Sequence, residues 1–196
     1  FFIFWKLGVE RGARRGNSGP AMRMYFACLW MFIACAVAVA AEGPGEFEVA
    51  GFRFQRPDDW GWVAPSGMRK AQLSVPGEGG AVADVTFFHF GPGQGGGPEA
   101  NIRRWVSQFE GGAENAMQKT EQFGKTRTWF VTASGTFQSG MPGGPTTPME
   151  GYALRGAILE SPGGDVFVKM TGPAAVVAGA AETFDRMIET AATSAK

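Results

Sequence analysis

The sequence predicts an α+β domain built on an antiparallel β-sheet, with one amphipathic helix after a central strand and a second helix at the carboxyl end packed on the sheet. Two observations lead to this fold class. Extended segments with alternating apolar and polar residues are separated by short glycine- and proline-rich turns, which is typical of hairpins. Apolar residues at helical spacing occur in two stretches that follow runs of strands and do not alternate with single strands.

The first elements are short and aromatic. Residues Phe47 to Gln55 alternate around Ala50-Gly51, which predicts a tight hairpin or a kinked strand. Trp60 and Trp62 follow a Pro-Asp-Asp turn, and we expect both indole rings to close one end of the core. The next predicted strand is Met68 to Val75, which ends in a glycine-rich turn.

The middle of the chain holds a strand, a loop and a helix in succession. An alternating strand begins at Val82, a glycine-rich loop covers Gly91 to Gly97, and an amphipathic helix begins at Pro98. Gly111-Gly112 predicts the end of that helix, because glycine readily adopts the left-handed conformation. Helical spacing predicts a buried side made of Ile102, Trp105, Val106 and Phe109.

The remaining elements complete the sheet. Thr126 to Phe137 is rich in residues suited to a pleated surface and predicts a long strand. Residues 138–148 contain several prolines and glycines, which indicates a mobile surface loop. Tyr152 to Glu160 and Asp165 to Thr171 predict a hairpin, and a helix with an apolar stripe follows to about Ala192.

The amino-terminal region has the pattern of an export signal. We expect residues 1–21 to lie upstream of the true start, 22–41 to be a signal peptide and 42–196 to form one α+β domain. Arg23 precedes an uncharged apolar run that finishes in alanines, as in secretory signal peptides. Two alternatives stay open, an uncleaved membrane anchor and a lipid on Cys35.

Removal of this segment would change the chemistry of the chain. Both cysteines, Cys28 and Cys35, lie within it, so the mature domain would have no disulfide, thiol nucleophile or cysteine metal site. The mature domain would carry 13 basic and 17 acidic residues, a net charge of −4. A mildly acidic domain argues against a nucleic-acid partner.

Two short segments resemble known proteins. The segment Gly51 to Trp60, with its glycine-aromatic strand running into Pro-x-x-Trp, resembles the opening of PsbP-like domains. The resemblance implies an α-β-α sandwich and a non-enzymatic, exported protein that docks on a membrane-associated complex. The segment Asn101 to Phe109 resembles secreted bacterial proteins of unassigned function, which names no activity.

The glycine-rich loop is one candidate site. Gly91 to Gly96 fits G-x-G-x-x-G between a strand and a helix, where backbone amides and the helix dipole can hold a phosphate. A dinucleotide fold also needs a parallel βαβ unit, and the surrounding sequence predicts hairpins. We therefore expect a flexible connector, with an anion site as the alternative. The loop glycines of that alternative are Gly93, Gly95 and Gly96, and its partners would be Arg103 or Arg104.

The predicted helix carries a polar row beside its buried side. Asn101, Arg104 and Gln108 line up at helical spacing. We expect the row to bond to a neighbouring strand or loop at the edge of the core, with a position facing a cleft as the alternative. Arg104 is the first residue of the row to substitute, because its planar guanidinium suits a bidentate contact with a carboxylate or the backbone.

Other titratable residues give weaker indications. His89 is the sole histidine, and a general base would need an orienting carboxylate and a nucleophile nearby. We expect a hydrogen-bonded strand-end histidine, no metal site and no cofactor. Asp58-Asp59 with Glu48 would suit a glycosidase, but adjacent aspartates after a proline more often form a turn.

Together these features predict an exported, non-enzymatic binding or accessory module of the bacterial cell envelope, periplasmic or extracellular, that docks on a membrane-associated protein. Its link to the membrane would be the export signal, an anchor, or a lipid on Cys35. The alternative is a small periplasmic ligand-binding protein or enzyme that uses a cleft beside Gly91 to Gly97, with Arg104 and His89 as contacts. A structural surface protein without a small ligand is a third possibility.

Overall fold

The computed structural model describes residues 43–140 and 144–195. The predicted upstream extension (1–21), the signal peptide (22–41) and both cysteines lie outside the described residues, so export, anchoring and lipidation stay predictions. Within the described part of the chain, no helix is long and apolar enough to cross a membrane.

Ten strands and four α-helices follow one another along the described chain. The strands are β1 (Glu46–Val49), β2 (Phe52–Gln55), β3 (Gly61–Val63), β4 (Arg69–Pro76), β5 (Val82–His89), β6 (Phe109–Glu110), β7 (Met117–Phe123), β8 (Thr126–Gly140), β9 (Thr146–Leu159) and β10 (Val166–Pro173). The helices are α1 (Pro98–Val106), α2 (Gly112–Asn115), α3 (Ala174–Gly179) and α4 (Ala181–Ser194), and a 3-10 turn covers Glu78–Gly80.

The main sheet has eight strands in the order β3-β4-β5-β10-β9-β8, with β6 and β7 paired one after the other along the outer edge of β8. Every pairing is antiparallel. Strands β1 and β2 form a separate hairpin, whose turn places Ala50 and Gly51 at positive φ. The predicted α+β class on an antiparallel sheet is confirmed, and β10, next to β5, lies nearer the centre of the sheet than β5 does.

One face of the sheet, which we call the covered face, is packed along its length. Helices α3 and α4 and the β1–β2 hairpin lie on it, and their apolar residues join those of β4, β5 and β10 in one core. Phe54, Phe87 and Phe184 are fully buried there. The rings of Phe54 and Phe87 lie 5.0 Å apart, edge to face, so hairpin and sheet share aromatic contacts.

The opposite face, which we call the half-open face, is covered by α1 over β8, β9 and β10. Ile102, Trp105 and Val106 are buried against the sheet, as predicted. Gly156 on β9 makes room for the indole, because a Cβ at this position would lie 2.6 Å from Cζ3 of Trp105. The part of this face formed by β4, β5 and β10 carries polar residues and is left open.

Helix α1 ends earlier than predicted. Its last residue is Val106, and the chain turns there instead of continuing to Gly111. The reason is pairing with the sheet: the Gln108 carbonyl accepts a hydrogen bond of 2.8 Å from the Gln138 amide, and Phe109 pairs with Phe137 as part of β6. Phe109 is buried as predicted, but on a strand.

The predicted loop at residues 138–148 was too long. Strand β8 runs to Gly140 and β9 begins at Thr146, and Gln138, Ser139 and Gly140 each pair with β9. Residues 141–143 lie outside the described residues. Pro148 is tolerated within β9 because it lies where this strand has one neighbour only, since β10 pairs with β9 from Tyr152 onward.

Two further elements differ from the prediction, the closing helix and strand β7. The predicted closing helix is two helices, α3 and α4, that meet at Ala180. Strand β7 was not predicted, because it is an edge strand whose side chains are mostly exposed and carry no apolar alternation. The two tryptophans near the start divide their roles, since Trp60 is buried while Trp62 is half-buried and packs edge-on against Phe47.

Candidate functional site

An open cleft of about 890 Å³ lies on the half-open face, between α1 and the outer halves of β8 and β9. Its floor is formed by side chains of β4, β5 and β10 that point away from the covered face, and one wall is α1. The cleft exists because α1 has nine residues and is therefore only about 14 Å long. Its volume falls in the range of ligand sites, about 300–1,000 Å³.

The predicted polar row of α1 faces this cleft. Asn101, Arg104 and Gln108 all line it. Asn101 is buried, and its amide group donates to the carbonyl oxygens of Gly95, Gly96 and Gly97 at 2.8, 3.2 and 3.1 Å. Its side-chain oxygen accepts a hydrogen bond from Nη2 of Arg104.

Asn101 therefore has the structural role that was one of the two predicted alternatives: it ties the glycine-rich loop to the helix and orients Arg104. The guanidinium of Arg104 keeps further N–H donors that have no hydrogen-bond acceptor among the described residues.

Lys169, at the centre of the site, was not predicted from the sequence. This residue lies on β10 between the buried Val168 and Met170, and its side chain points to the opposite, half-open face. Nζ of Lys169 donates a hydrogen bond to Oε1 of Gln108 and lies 5.1 Å from the centroid of the Phe137 ring. Gln108 follows the last residue of α1 and still faces the cleft, where Lys169 holds its side chain.

The electrostatics of Lys169 are unusual. Burial, followed by the charge of the nearby Arg104, lowers the pKa of Lys169 from 10.5 to about 8. Among the described residues, neither Lys169 nor Arg104 forms an ion pair with an acidic side chain. Two cations thus lie close together without a counter-charge. Lys169 is largely buried, where an unpaired charge is costly, whereas Arg104 is exposed.

Other charged groups lie further along the cleft. Arg69 on β4 lines it and donates to Oγ of Ser66 at 3.0 Å. Asp84 on β5 lines it too and accepts a hydrogen bond of 3.2 Å from Nε2 of Gln72. The charged side chains that line the described cleft are three cations and one carboxylate, although residues 42–196 carry a net charge of −4. The cleft therefore favours anions.

Aromatic rings form the upper walls of the cleft. Phe137 and Tyr152 stack on one side, with ring centroids 6.2 Å apart. Phe88 and Phe90 stack on the other side at the same separation. Polar groups on the floor and apolar rings on the walls are the usual composition of a binding pocket.

The remaining predicted site residues lie outside the cleft. His89 does not line it, and its Nδ1 lies 3.2 Å from the backbone carbonyl oxygen of Asp165, a strand-end contact of the kind expected. Gly93, Gly95 and Gly96 have positive φ. At Gly95 a Cβ would also lie 2.7 Å from the Phe90 ring, so this glycine lets the loop pack on the aromatic wall. Anion binding by the loop stays a prediction.

A sequence signal for Lys169 did exist. In Val166 to Thr171 the residues Val166, Val168 and Met170 alternate with Phe167, Lys169 and Thr171. A lysine inside an apolar strand must either pair with a charge or face an opening in the opposite layer. Phe137 and Tyr152 gave no comparable signal, because an aromatic residue in a strand is most often part of the core.

The chemistry available in the cleft is recognition of an anion. Lys169 and Arg104 offer charged donors, Gln108 and Asn101 hold those donors in place, and the rings offer apolar contact. Among the described residues, no group of three His, Cys, Asp or Glu side chains is placed to hold a metal ion.

Comparison with known proteins gives a likeness in structure. No family model matches the chain, and no curated protein matches it. The solution structure of cyanobacterial PsbP from Synechocystis is similar, with 10% sequence identity, a TM-score of 0.49, and coverage of 76% of this chain and 94% of that chain. A Pseudomonas aeruginosa protein of unknown function is also similar, with 13% identity, a TM-score of 0.43, and coverage of 74% of this chain and 93% of that chain.

Proposed function

We propose that the protein is an exported, non-catalytic binding module of the cell envelope that docks on a membrane-associated protein through the open cleft. The observation that carries this proposal is the pair of unpaired cations, Lys169 and Arg104, on the half-open face. Two like charges that lie close together repel each other, and the buried one, Lys169, has also lost part of its hydration. A partner that supplies the missing negative charge makes the arrangement favourable.

The non-catalytic part of the proposal is supported by how the cleft-lining groups are used. Acid–base or nucleophilic catalysis needs a base within hydrogen-bond reach of the group that it activates. Asp84 bonds to an amide of Gln72, and Lys169 bonds to the amide of Gln108. These contacts fix side chains in place and form no acid–base pair.

The export part of the proposal is supported by the sequence of residues 22–41 and needs its own measurement. We expect the protein isolated from the envelope fraction to start near Glu42, as found by amino-terminal sequencing and intact mass. A mature chain that retains residues 22–41 would favour the anchor, and a mass increase on a chain starting at Cys35 would favour the lipid.

Docking is tested by recovery of a partner from the source organism. The full chain with a carboxyl-terminal tag is expressed at its natural level, cross-linked in intact cells and purified. We expect one envelope protein in stoichiometric amount with the wild type, and loss of that protein with Arg104→Glu.

The matched control is Arg103→Glu. Arg103 is the preceding residue on α1, is also exposed, and lines a separate cavity on the other side of the helix. Retention of the partner by this variant, with loss in Arg104→Glu, assigns docking to the cleft. Equal recovery with both variants, or no specific partner with the wild type, contradicts the proposal.

The second candidate is a small-molecule binding protein or enzyme that uses the same cleft. The volume of about 890 Å³ and the aromatic walls favour it. Unlike a docking partner, a small ligand remains in the envelope extract after filtration has removed all protein above 10 kDa. The filtrate alone would then bind in the cleft. A rise in melting temperature with that filtrate, absent in Arg104→Glu, would select this candidate.

A further inference from the structure

We propose that the floor of the cleft is a binding site for an oxyanion joined to an apolar group, held by Lys169 and Arg104, with the apolar group between the aromatic walls. This inference rests on the proposed function, because it takes the cleft as the recognition site. In the docking partner, the matching feature is a carboxylate beside an aromatic or aliphatic side chain.

Lys169 and Arg104 have more N–H donors than the described part of the protein uses. A lysine ammonium has three N–H donors and a guanidinium has five. Within the described chain, Lys169 uses one donor on Gln108 and Arg104 uses its Nη2 on Asn101. The remaining donors of the two groups lie at the edge of the cleft, and an oxyanion accepts from both with charge-assisted hydrogen bonds.

The positions of the two cations are fixed before any ligand arrives. Arg104 is held by the buried Asn101, which the loop carbonyls hold in turn. The Lys169 ammonium is held by Gln108 and by the face of Phe137. Side chains that are ordered in the free protein lose little conformational entropy on binding, which raises affinity.

The walls determine what the anion must be attached to. Phe137 with Tyr152 and Phe88 with Phe90 present ring surface above the cations. An inorganic ion would leave these rings in water, whereas an organic anion removes apolar surface from water on both molecules, worth about 25 cal/mol per Å². The site therefore fits an organic anion better than a free ion.

The floor adds a directional element. Oγ1 of Thr86 donates to the backbone carbonyl of Lys169 at 3.2 Å, and Thr171 lies two residues further along the same face of β10. Oγ1 of Thr171 is buried and has no hydrogen-bond partner among the described residues, although its side chain lines the cleft. A small rotation of this hydroxyl would supply a neutral donor to a bound oxyanion.

The test uses the purified full chain and four small probes. Phenylacetate carries a carboxylate on a ring, phenyl phosphate carries a phosphate monoester, 2-phenylacetamide has the ring without the charge, and sodium phosphate has the charge without the ring. Binding is followed by NMR titration of the backbone amides. We expect the two aromatic anions to bind, with the tighter one identifying the oxyanion, and the two incomplete probes to bind at least about tenfold more weakly.

Variants assign binding to the two cations. Lys169→Met keeps the length of the side chain and removes the charge, and Arg104→Gln removes the charge of an exposed side chain. Each is expected to raise the Kd for the aromatic anions about tenfold or more, which corresponds to one lost charged hydrogen bond. The control Arg103→Gln removes the charge of the neighbouring arginine and is expected to change the Kd less than about twofold.

A direct readout separates contact from indirect effects. The pKa of Lys169, followed through the NMR signals of its ε-methylene group, should rise when an aromatic anion is bound, because a nearby negative charge favours the ammonium form. Overturning outcomes are equal binding of 2-phenylacetamide and phenylacetate, equal binding of sodium phosphate and phenyl phosphate, or unchanged affinity in both cation variants.

The inference and the docking proposal fail separately. Titration with small anions needs no partner, so binding of phenylacetate without recovery of an envelope protein would leave the inference standing and remove docking. Recovery of a partner that depends on Arg104, without binding of any aromatic anion, would keep docking and remove this inference.

Discussion

The two faces of the sheet are covered in different ways, and the difference shows where recognition can take place. The covered face receives two helices, one of 14 residues, and a hairpin, and most of its buried strand residues are apolar. The half-open face receives a helix of nine residues, which leaves β4, β5 and the end of β10 exposed. Stability is concentrated on the first face, and chemically distinctive groups such as Lys169 lie on the second.

The largest expected effect tests the covered face. Phe184 of α4 is fully buried, so Phe184→Ala removes its ring contacts and leaves a cavity. We expect a loss of about 3–5 kcal/mol in the free energy of unfolding, measured by urea denaturation. The matched control is Met68→Ala, because Met68 lines the cleft with 70% of its surface exposed and should change stability by less than about 0.5 kcal/mol. Similar losses in both variants would mean that the two faces do not differ as described.

The second prediction concerns Lys169 on the half-open face, whose charged form lowers the stability of the folded protein. The pKa of Lys169 is about 8 in the folded protein, against 10.5 for an ordinary lysine. The unfolded chain therefore binds more protons between these two pH values, and the free energy of unfolding should rise with pH across this window. Each unit of pKa difference corresponds to about 1.4 kcal/mol, so the full rise is on the order of 3 kcal/mol.

Lys169→Met isolates this contribution, because other groups titrate equally in both proteins. At pH 7 we expect the variant to be more stable than the wild type by about 1–2 kcal/mol, after the loss of the contacts with Gln108 and Phe137 is subtracted. The advantage should shrink as the pH rises from about 8 to 10.5. A variant less stable than the wild type at pH 7 would mean that Lys169 is well accommodated without a partner, and would weaken the case for an anion.

The contrast between the faces also explains how far the sequence could be interpreted. Alternation and helical spacing predicted the antiparallel sheet, the start of α1 at Pro98 and the buried side of that helix, because these depend on local patterns. The end of α1 depends on the pairing of Phe109 with Phe137, a contact between segments far apart in sequence. Long-range pairing of this kind leaves no local signal, so the helix was predicted too long.

In the site, too, the residues on one segment could be predicted from the sequence and the long-range contact could not. Asn101, Arg104 and Gln108 were found because they lie close together on one segment. Lys169 joins them from β10, 61 residues beyond Gln108, and only the packing of α1 on the sheet reveals that it belongs to the group. His89 was included for its chemistry alone, and the structure places it at a strand end, outside the cleft.

The third prediction concerns the link between the glycine-rich loop and α1. Asn101→Ala removes the donor shared by the carbonyls of Gly95, Gly96 and Gly97. We expect a loss of about 1–3 kcal/mol, together with faster hydrogen exchange of the loop amides. Asn101→Asp keeps the shape, removes the donors and should cost at least as much. Unchanged exchange rates in both variants would show that the loop is held by other contacts.

The smallest effect compares one hydroxyl on each face. Oγ1 of Thr128 on the covered face and Oγ1 of Thr171 on the half-open face are both buried without a hydrogen-bond partner among the described residues. Thr128 is fully buried, so Thr128→Val replaces an unsatisfied hydroxyl with a methyl group and should stabilise the protein by about 1 kcal/mol.

Thr171 is only half-buried and lines the cleft. We therefore expect Thr171→Val to change the stability less than Thr128→Val does, and to raise the Kd for an aromatic anion. Thermal unfolding measures the first quantity and NMR titration the second. If Thr171→Val raised stability as much as Thr128→Val and left anion affinity unchanged, the hydroxyl of Thr171 would belong to the packed core, and the recognition surface would be confined to Lys169, Arg104 and the aromatic walls.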